Sequence, residues 1–156
     1  MKSHQEHYTI HILFSEYGIF VVETKNYSGR IYGNEKQREW TQVLNYGRVK
    51  NKLYNPIKQN ATHCYRLDAI IKDEALSLTS VVVFVKGNIK YIESNNIYTL
   101  KTLKKIINKD STPIFDSGRV YKAYNDVLFY KENQCKTNKE HVMEISQMQK
   151  DIQNNI

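Results

Sequence analysis

The sequence predicts an α/β domain built around one central β-sheet. Strand patterns fill the first third of the chain, a helical pattern follows at residues 56–72, and further strand and helix patterns come after it. Residues 80–86, SVVVFVK, form a nearly continuous apolar run of the kind found in a buried central strand. A chain of 156 residues is long enough for one core and too short for two ordinary domains.

Composition and charge restrict the class of protein. The formal charge of +7 and the sequence pI near 9.3 favour a polyanionic partner, because Lys and Arg release counterions when they bind phosphates. The negative mean hydropathy argues against an integral membrane protein. The polar N-terminus has no signal-peptide core, so we expect a cytoplasmic protein. Cys64 and Cys135 lie outside any C-x-x-C spacing, and no zinc site is expected.

The predicted sheet begins with a meander of short strands. Residues 1–7 are polar and are expected to be a disordered lead-in, and residues 45–54 are expected to be a basic loop. Between them, strands are predicted at residues 8–14, 19–25, 29–33 and 40–44, with turns at 15–18 and 26–29. The first two strands are expected to form a hairpin.

A helix is predicted over residues 56–72. It begins with an Asn-Pro dipeptide, and proline fits the first turn because its missing N–H is not needed there. Most of its apolar stripe consists of Ile57, Ala61, Cys64, Ala69 and Ile71. Gln59, His63 and Arg66 are spaced by four and three residues and form a second, polar stripe. The helix therefore offers one face to the core and another to a site.

The remaining elements complete the sheet and cover it. Strands are predicted at residues 80–86, 89–93 and 97–100, the last of them an edge strand, and helices at 103–107, 117–131 and 138–152. The chain then divides into the lead-in, a core at residues 8–115, and C-terminal helices at 116–156 that pack on the core.

Glu23 and Lys25 are the first candidate site residues. Side chains alternate along a strand, so both point to the same side as Ile19 and Val21. A carboxylate and an ammonium on an apolar strand are costly to bury unless they meet each other, a metal or a substrate. A Glu oxygen suits Mg²⁺, and a nearby Lys can orient water or neutralise a phosphate. The alternative is a surface ion pair at a strand end.

A basic segment and the tyrosines are candidate contacts for DNA. Arg48, Lys50 and Lys52 lie close together in the predicted loop and are the candidate DNA-binding residues. Twelve tyrosines offer stacking surfaces for single strands, but most lie in strand and helix patterns, where a core or boundary role is expected.

Several separated motifs carry a family resemblance. They are GIFVVETKNYSGRIYG at residues 18–33, Trp40, YNPIKQN at residues 54–60 and VVVF at residues 81–84. In this order they resemble the nuclease-related domain family, a branch of the PD-(D/E)XK restriction-endonuclease-like superfamily. The resemblance implies a central mixed sheet flanked by helices and a metal-dependent DNA nuclease that uses Mg²⁺ or Mn²⁺, with no small-molecule cofactor and no membrane partner.

The resemblance also implies roles for individual residues. Glu23 and Lys25 match the family's E-x-K motif, which makes Glu23 a metal ligand and Lys25 the catalytic lysine that positions the attacking water. Gln59 matches the glutamine of the helix beside the active site, where it would orient the lysine or the phosphate. Trp40 and the Asn-Pro-Ile turn at 55–57 match positions that we interpret as structural.

Two departures from the family pattern bear on activity. The family places an aspartate thirteen residues before the glutamate, where this chain has Ile10. The chain also begins after a family helix that carries a further acidic residue, so the resemblance implies an N-terminally truncated domain. Mg²⁺ affinity is therefore expected to be weak, since isoleucine cannot bind the ion. Alternation points the adjacent His11 to the opposite face.

Three functions follow from these observations. The first is an endonuclease-like enzyme that hydrolyses DNA with a divalent metal and is impaired by Ile10. The second is a catalytically inactive DNA-binding module of nuclease fold, with Lys25, Lys86 and Lys90 as further phosphate contacts. The third is a structural or partner-binding remnant.

Overall fold

A six-stranded mixed sheet forms the centre of the computed structural model, which describes residues 10–107 and 113–154, with side chains described up to residue 135. The strands are β1 (Ile10–Ser15), β2 (Gly18–Asn34), β3 (Glu39–Leu44), β4 (Val49–Tyr54), β5 (Leu78–Glu93) and β6 (Ile97–Thr99). The helices are α1 (Pro56–Ile71), α2 (Leu100–Ile107) and α3 (Ser117–Asn154). The predicted lead-in lies outside the described residues.

Strand β2 organises the sheet. Its first half pairs with β1 and its second half with β3, both antiparallel, while β5 runs parallel along its other edge. The strand order is β4-β3-β2-β5-β6, and the sixth strand, β1, lies off this path and pairs with β2. This order confirms the predicted mixed sheet, the inner position of residues 80–86 and the edge position of the strand that begins at Ile97.

Helices cover both faces of the sheet. One face packs on α1 and α3 through a core of Ile19, Val21, Leu67, Ile71, Leu76 and Ala123. The other face carries Phe20, Val22, Val81 and Val83, against which Leu103 and Ile106 of α2 pack. We call these two surfaces the α1 face and the α2 face. Apolar residues on both sides of the first halves of β2 and β5 explain why these halves are buried, whereas the second halves of both strands are largely exposed or half-buried.

The predicted turn at 26–29 is wrong, because β2 continues through it. The register between β2 and β5 shifts between Lys25 and Arg30. Asn26 and Gly29 therefore belong to an irregularity within the strand. Gly29, at φ +78°, adopts the left-handed backbone that this irregularity requires. Strand β5 likewise joins the two strands that were predicted at 80–86 and 89–93.

Two further boundaries differ from the prediction. Residues 45–54 are mostly strand β4 with a short turn at Asn45–Gly47, because an exposed edge strand rich in lysine resembles a loop in sequence. The helices predicted at 117–131 and 138–152 form one helix, α3, since no Pro or Gly separates them. Within the described residues, no helix is both long and apolar enough to cross a membrane.

The start of α1 is anchored to the loop after β2. The Asn55 side chain accepts a hydrogen bond from the Ile57 N–H at 2.9 Å, which caps the helix. The same side chain donates to three carbonyls, one at the end of β2 and two in the loop after it, the nearest at 2.7 Å on Gln37. The Trp40 indole donates to the Asn34 carbonyl at 2.9 Å. These bonds give the Asn-Pro-Ile turn and Trp40 a structural role and fix α1 over the sheet.

Candidate functional site

Glu23 and Lys25 form a buried ion pair on the α1 face. Lys25 Nζ lies 2.8 Å from Glu23 Oε1, and the two residues are 4% and 1% exposed. The pair lies within β2, which continues to Asn34. The alternative of a surface ion pair at a strand end is therefore wrong, and the two charges are shielded from water.

Helix α1 adds two polar side chains to this pair. Lys25 Nζ donates a hydrogen bond to Gln59 Oε1 at 3.0 Å. His63 Nε2 lies 3.5 Å from Glu23 Oε2, one helical turn beyond Gln59. The structure thus brings together all three residues predicted to be catalytic and adds His63 of the polar stripe, whereas Arg66 of that stripe is exposed.

One side of the Glu23 carboxylate has an unused hydrogen-bonding capacity. Glu23 Oε2 and His63 Nε2 are both buried, and neither has a hydrogen-bond partner among the described residues. A proton on His63, a water molecule or a cation would satisfy the carboxylate oxygen. Glu23 Oε2 is therefore the atom of the site that is available to accept a hydrogen bond from a ligand or to bind a cation.

Asn60 holds the helix in place and was missed by the sequence analysis. Its side-chain amide donates to the Val21 carbonyl at 2.8 Å, to Ser80 Oγ at 2.9 Å and to the Val81 carbonyl at 3.2 Å. Asn60 is fully buried, and it follows Gln59 directly. An asparagine on the apolar stripe of a helix was the available signal. Its bonds to β2 and β5 set the height of Gln59 above Lys25.

Ile10 lies directly across from Glu23. The register of β1 and β2 pairs the two residues, so that their side chains share the α1 face. Ile10 is half-buried and packs against the core cluster of that face. His11 pairs with Val22, is exposed and points to the other face, as predicted. The position implied for a second acidic ligand therefore faces the site, but its side chain is apolar.

Comparison with known proteins places this geometry in a family. Residues 11–85 match the family profile of the nuclease-related domain, and the match includes Glu23, Lys25 and Gln59. This segment is a nuclease-related domain. The PD-(D/E)XK superfamily is the general context of that family. The mixed sheet with helices on both faces is consistent with a restriction-endonuclease-like fold.

One relative extends beyond the nuclease-related domain. An uncharacterised protein of Bacillus anthracis is 30% identical over 122 residues, which are 76% of this chain and 57% of that protein. The chain therefore spans little more than half the length of this relative. No solved structure matches the chain.

The residues of this nuclease-related domain do not fit a Mg²⁺ site as they stand. Mg²⁺ requires near-octahedral oxygen ligands, usually including one or two carboxylates. Among the described residues, Glu23 is the only carboxylate that pairs with Lys25 or His63, and Lys25 already binds one of its oxygens. The described residues contain no group of three or more His, Cys, Asp or Glu side chains that could hold a metal ion. The neutral Glu23–Lys25 pair also provides no net charge to attract a cation.

The structure does not bring the three predicted DNA-binding residues to this site. Lys50 and Lys52 of β4 pair with Val43 and Thr41, which places both lysine side chains on the sheet surface opposite the α1 face. Arg48 follows the turn before β4, and all three are exposed. Any DNA contact that they make is therefore separated by the sheet from Glu23 and Lys25.

Proposed function

We propose that this nuclease-related domain is a cytoplasmic DNA-binding module whose hydrolytic site is impaired. The observation that carries the proposal is the pairing of Ile10 with Glu23. An apolar side chain occupies the cross-strand position where a second carboxylate would complete a metal site. The chain keeps the family fold, the ion pair and Gln59. Isoleucine at position 10 therefore reduces the number of metal ligands but leaves the architecture of the site in place.

Charge and exposure support the DNA-binding part of the proposal. The chain has a formal charge of +7, and Arg48, Lys50 and Lys52 are exposed where phosphates can reach them. Lys25 is 4% exposed and already bonded to Glu23 and Gln59. A phosphate contact by Lys25 therefore requires that α1 move away from β2, whereas the other three residues need no rearrangement.

A second candidate function is weak metal-dependent hydrolysis of DNA. It is favoured by Glu23 Oε2, which is buried without a hydrogen-bond partner among the described residues, and by the lysine held 2.8 Å from the other carboxylate oxygen. In that function Lys25 would stabilise the charge that develops on the phosphate, and Gln59 would orient the lysine. A divalent cation would supply polarisation of the phosphate.

DNA nicking distinguishes the two functions. Supercoiled plasmid is incubated with Mg²⁺ or Mn²⁺ and with the full chain, its Ile10→Asp variant, or the matched Ile10→Asn variant, which loses the same apolar contact without adding a charge. We expect nicking by Ile10→Asp alone, and loss of nicking when Lys25→Ala is added. Nicking by the unchanged chain that Lys25→Ala abolishes, while circular dichroism shows that the variant is still folded at the assay temperature, would instead establish the hydrolase.

Metal-dependent stability gives an independent readout of the same change. Thermal unfolding of the Ile10→Asp variant should respond to Mn²⁺, because a ligand at one hundred times its Kd stabilises a folded protein by about 2.7 kcal/mol. The Ile10→Asn variant should not respond. Equal responses of both variants would show that position 10 does not contribute to a metal site.

Binding of a labelled DNA duplex at increasing salt tests the DNA-binding part. We expect affinity to fall steeply with salt, since phosphate contacts release counterions. An absence of binding at low salt would leave the structural or partner-binding remnant as the function.

A further inference from the structure

We propose that the sheet surface opposite the α1 face binds single-stranded DNA through stacked tyrosines and a basic stripe. This inference deepens the proposed DNA binding and rests on it. The surface is formed by the second halves of β2 and β5 together with β3 and β4. It is the part of the α2 face that helix α2 does not cover, and we call it the open sheet face. Its central residues are Arg30, Tyr32, Lys50, Lys52, Tyr54 and Tyr91.

Strand pairing places these residues side by side. One row crosses the sheet from Lys52 through Thr41 and Tyr32 to Tyr91. The adjacent row, nearer the β3–β4 turn, contains Lys50, Val43, Arg30 and Asn88. Because paired residues share a face, the tyrosines and the basic side chains lie on one surface.

The open sheet face remains accessible beside α2. Helix α2 packs on β5 and β6, over the apolar cluster that includes Phe20 and Val81 at the other end of the sheet. Tyr54 is 51% exposed and Tyr91 is 43% exposed. Tyrosine rings on a covered surface would be buried. The exposed fractions of Tyr54 and Tyr91 therefore show that both rings are available to a ligand.

A pre-formed aromatic stack lies at the centre of this surface. The rings of Tyr32 and Tyr91 are stacked, with centroids 4.6 Å apart and planes 21° apart. Tyr32 is half-buried, so its contact fixes the plane of the more exposed Tyr91 ring. A nucleobase that stacks on the free side of Tyr91 extends this stack with little loss of side-chain entropy.

The turn between β3 and β4 adds an unusual exposed ring. Tyr46 is fully exposed and has φ +56°, a left-handed backbone that a bulky residue rarely adopts. The Tyr46 side chain is not packed into the core formed by the described residues. Its position beside Arg48, at the basic end of the open sheet face, suits contact with an extended ligand.

The charge distribution selects the ligand and its orientation. Basic residues gather toward the β3–β4 turn, whereas the acidic residues of this face, Glu39 and Glu93, lie in the row at the opposite end, beside Tyr54 and Asn34. Phosphates are therefore expected to follow Lys50, Lys52 and Arg30. Unpaired bases can stack on tyrosine, whereas bases in a duplex already stack on each other and present only their edges.

Binding of a fluorescently labelled oligothymidylate, followed by anisotropy at several salt concentrations, tests this inference. Tyr91→Ala should weaken binding by about 5- to 150-fold, the range for loss of one stacked base, with the salt dependence unchanged. Tyr91→Phe should bind normally, because stacking needs the ring and not the hydroxyl. Tyr121→Ala on α3, also exposed, is the matched control and should have no effect.

The basic stripe has a different signature from the tyrosines. The double variant Lys50→Gln/Lys52→Gln should reduce the slope of log affinity against log salt by about 0.7 per lost phosphate contact. Lys131→Gln, an exposed lysine on α3, is the control and should leave the slope unchanged. If the slope of the double variant equals that of the unchanged chain, Lys50 and Lys52 do not contact phosphates.

The outcomes separate this inference from the broader proposal. If the chain binds a duplex but not the single strand, or if Tyr91→Ala and Tyr91→Leu bind as well as the unchanged chain, the open sheet face is not a stacking surface, although DNA binding stands. If the chain binds neither the duplex nor the single strand, both proposals are wrong. Photocrosslinking of iodouracil-containing DNA to a tyrosine of this face would support the inference, and crosslinking only to α1 would refute it.

Discussion

Replacement of Lys25 by methionine is predicted to destabilise the fold severely. The change removes the ammonium that lies 2.8 Å from Glu23 Oε1 and donates to Gln59. Glu23 is 1% exposed, so its carboxylate would be left in the core without its charge partner. Removing one member of a buried ion pair costs about 3–5 kcal/mol, mainly because the remaining charge stays desolvated.

The double change Lys25→Met/Glu23→Leu should cost much less than the single one. It replaces both charges by apolar side chains of similar size, and such replacements of buried pairs are often neutral or stabilising, by about 1–4 kcal/mol. A domain of this size has a total stability of about 5–15 kcal/mol, so the single change alone removes a large part of it. The order of stabilities is therefore the diagnostic quantity.

Equilibrium unfolding in urea measures both changes. Lys122→Met is the matched control, because Lys122 pairs with Asp126 at 2.7 Å while its side chain is 69% exposed. This exposed pair should be worth less than about 1 kcal/mol. The reasoning would be refuted if Lys25→Met were no more destabilising than Lys122→Met, or if the double variant were as unstable as Lys25→Met.

Three other predictions concern the packing around the site. Asn60→Ala should lower the free energy of unfolding by at least about 2 kcal/mol, because it leaves buried acceptors on β2 and β5 without their donor. Gly33→Ala should cost about 1–3 kcal/mol and shift Trp40 fluorescence, because the added Cβ would lie 2.3 Å from the Trp40 ring. Burial raises the pKa of the Cys64 thiol, so at pH 8 iodoacetamide should alkylate the exposed Cys135 first and Cys64 only at higher pH or on unfolding.

Each of these predictions has a control or a contradictory outcome. Thr62→Ala removes an exposed hydrogen bond from the same helix and should have little effect on urea unfolding. Gly118→Ala, where the nearest atom is an exposed side-chain oxygen at 3.1 Å, should be tolerated. Equal alkylation rates of the two cysteines in the folded protein would show that the Cys64 thiol is not protected by burial.

The sequence predicts the elements of the fold better than their lengths. The apolar run at 80–86 and the Asn-Pro start of α1 are local signals, and both correspond to observed elements. The continuity of β2 through Asn26 and Gly29 depends on pairing with β5, more than fifty residues later in the chain. A turn signal read in isolation cannot reveal a partner strand that holds the chain extended.

The candidate site shows the same division between local and long-range information. Strand alternation places Glu23 and Lys25 on one side, and helical spacing places Gln59 and His63 on one stripe. The structure brings these four together. The opposite location of Lys50 follows from the register of β3 and β4, which the sequence does not specify when β4 is interpreted as a loop.

The charge balance at Glu23 links the apolar residue at position 10 to the burial of the site. With a carboxylate at position 10, two negative charges and one ammonium would leave a net negative charge, which favours a divalent cation and resists burial. With Ile10 the pair is neutral, and it can be covered by α1 until Glu23 is 1% exposed. In the proposed function, isoleucine at position 10 therefore takes the place of a candidate metal ligand and, at the same time, of the negative charge that would resist burial of the site.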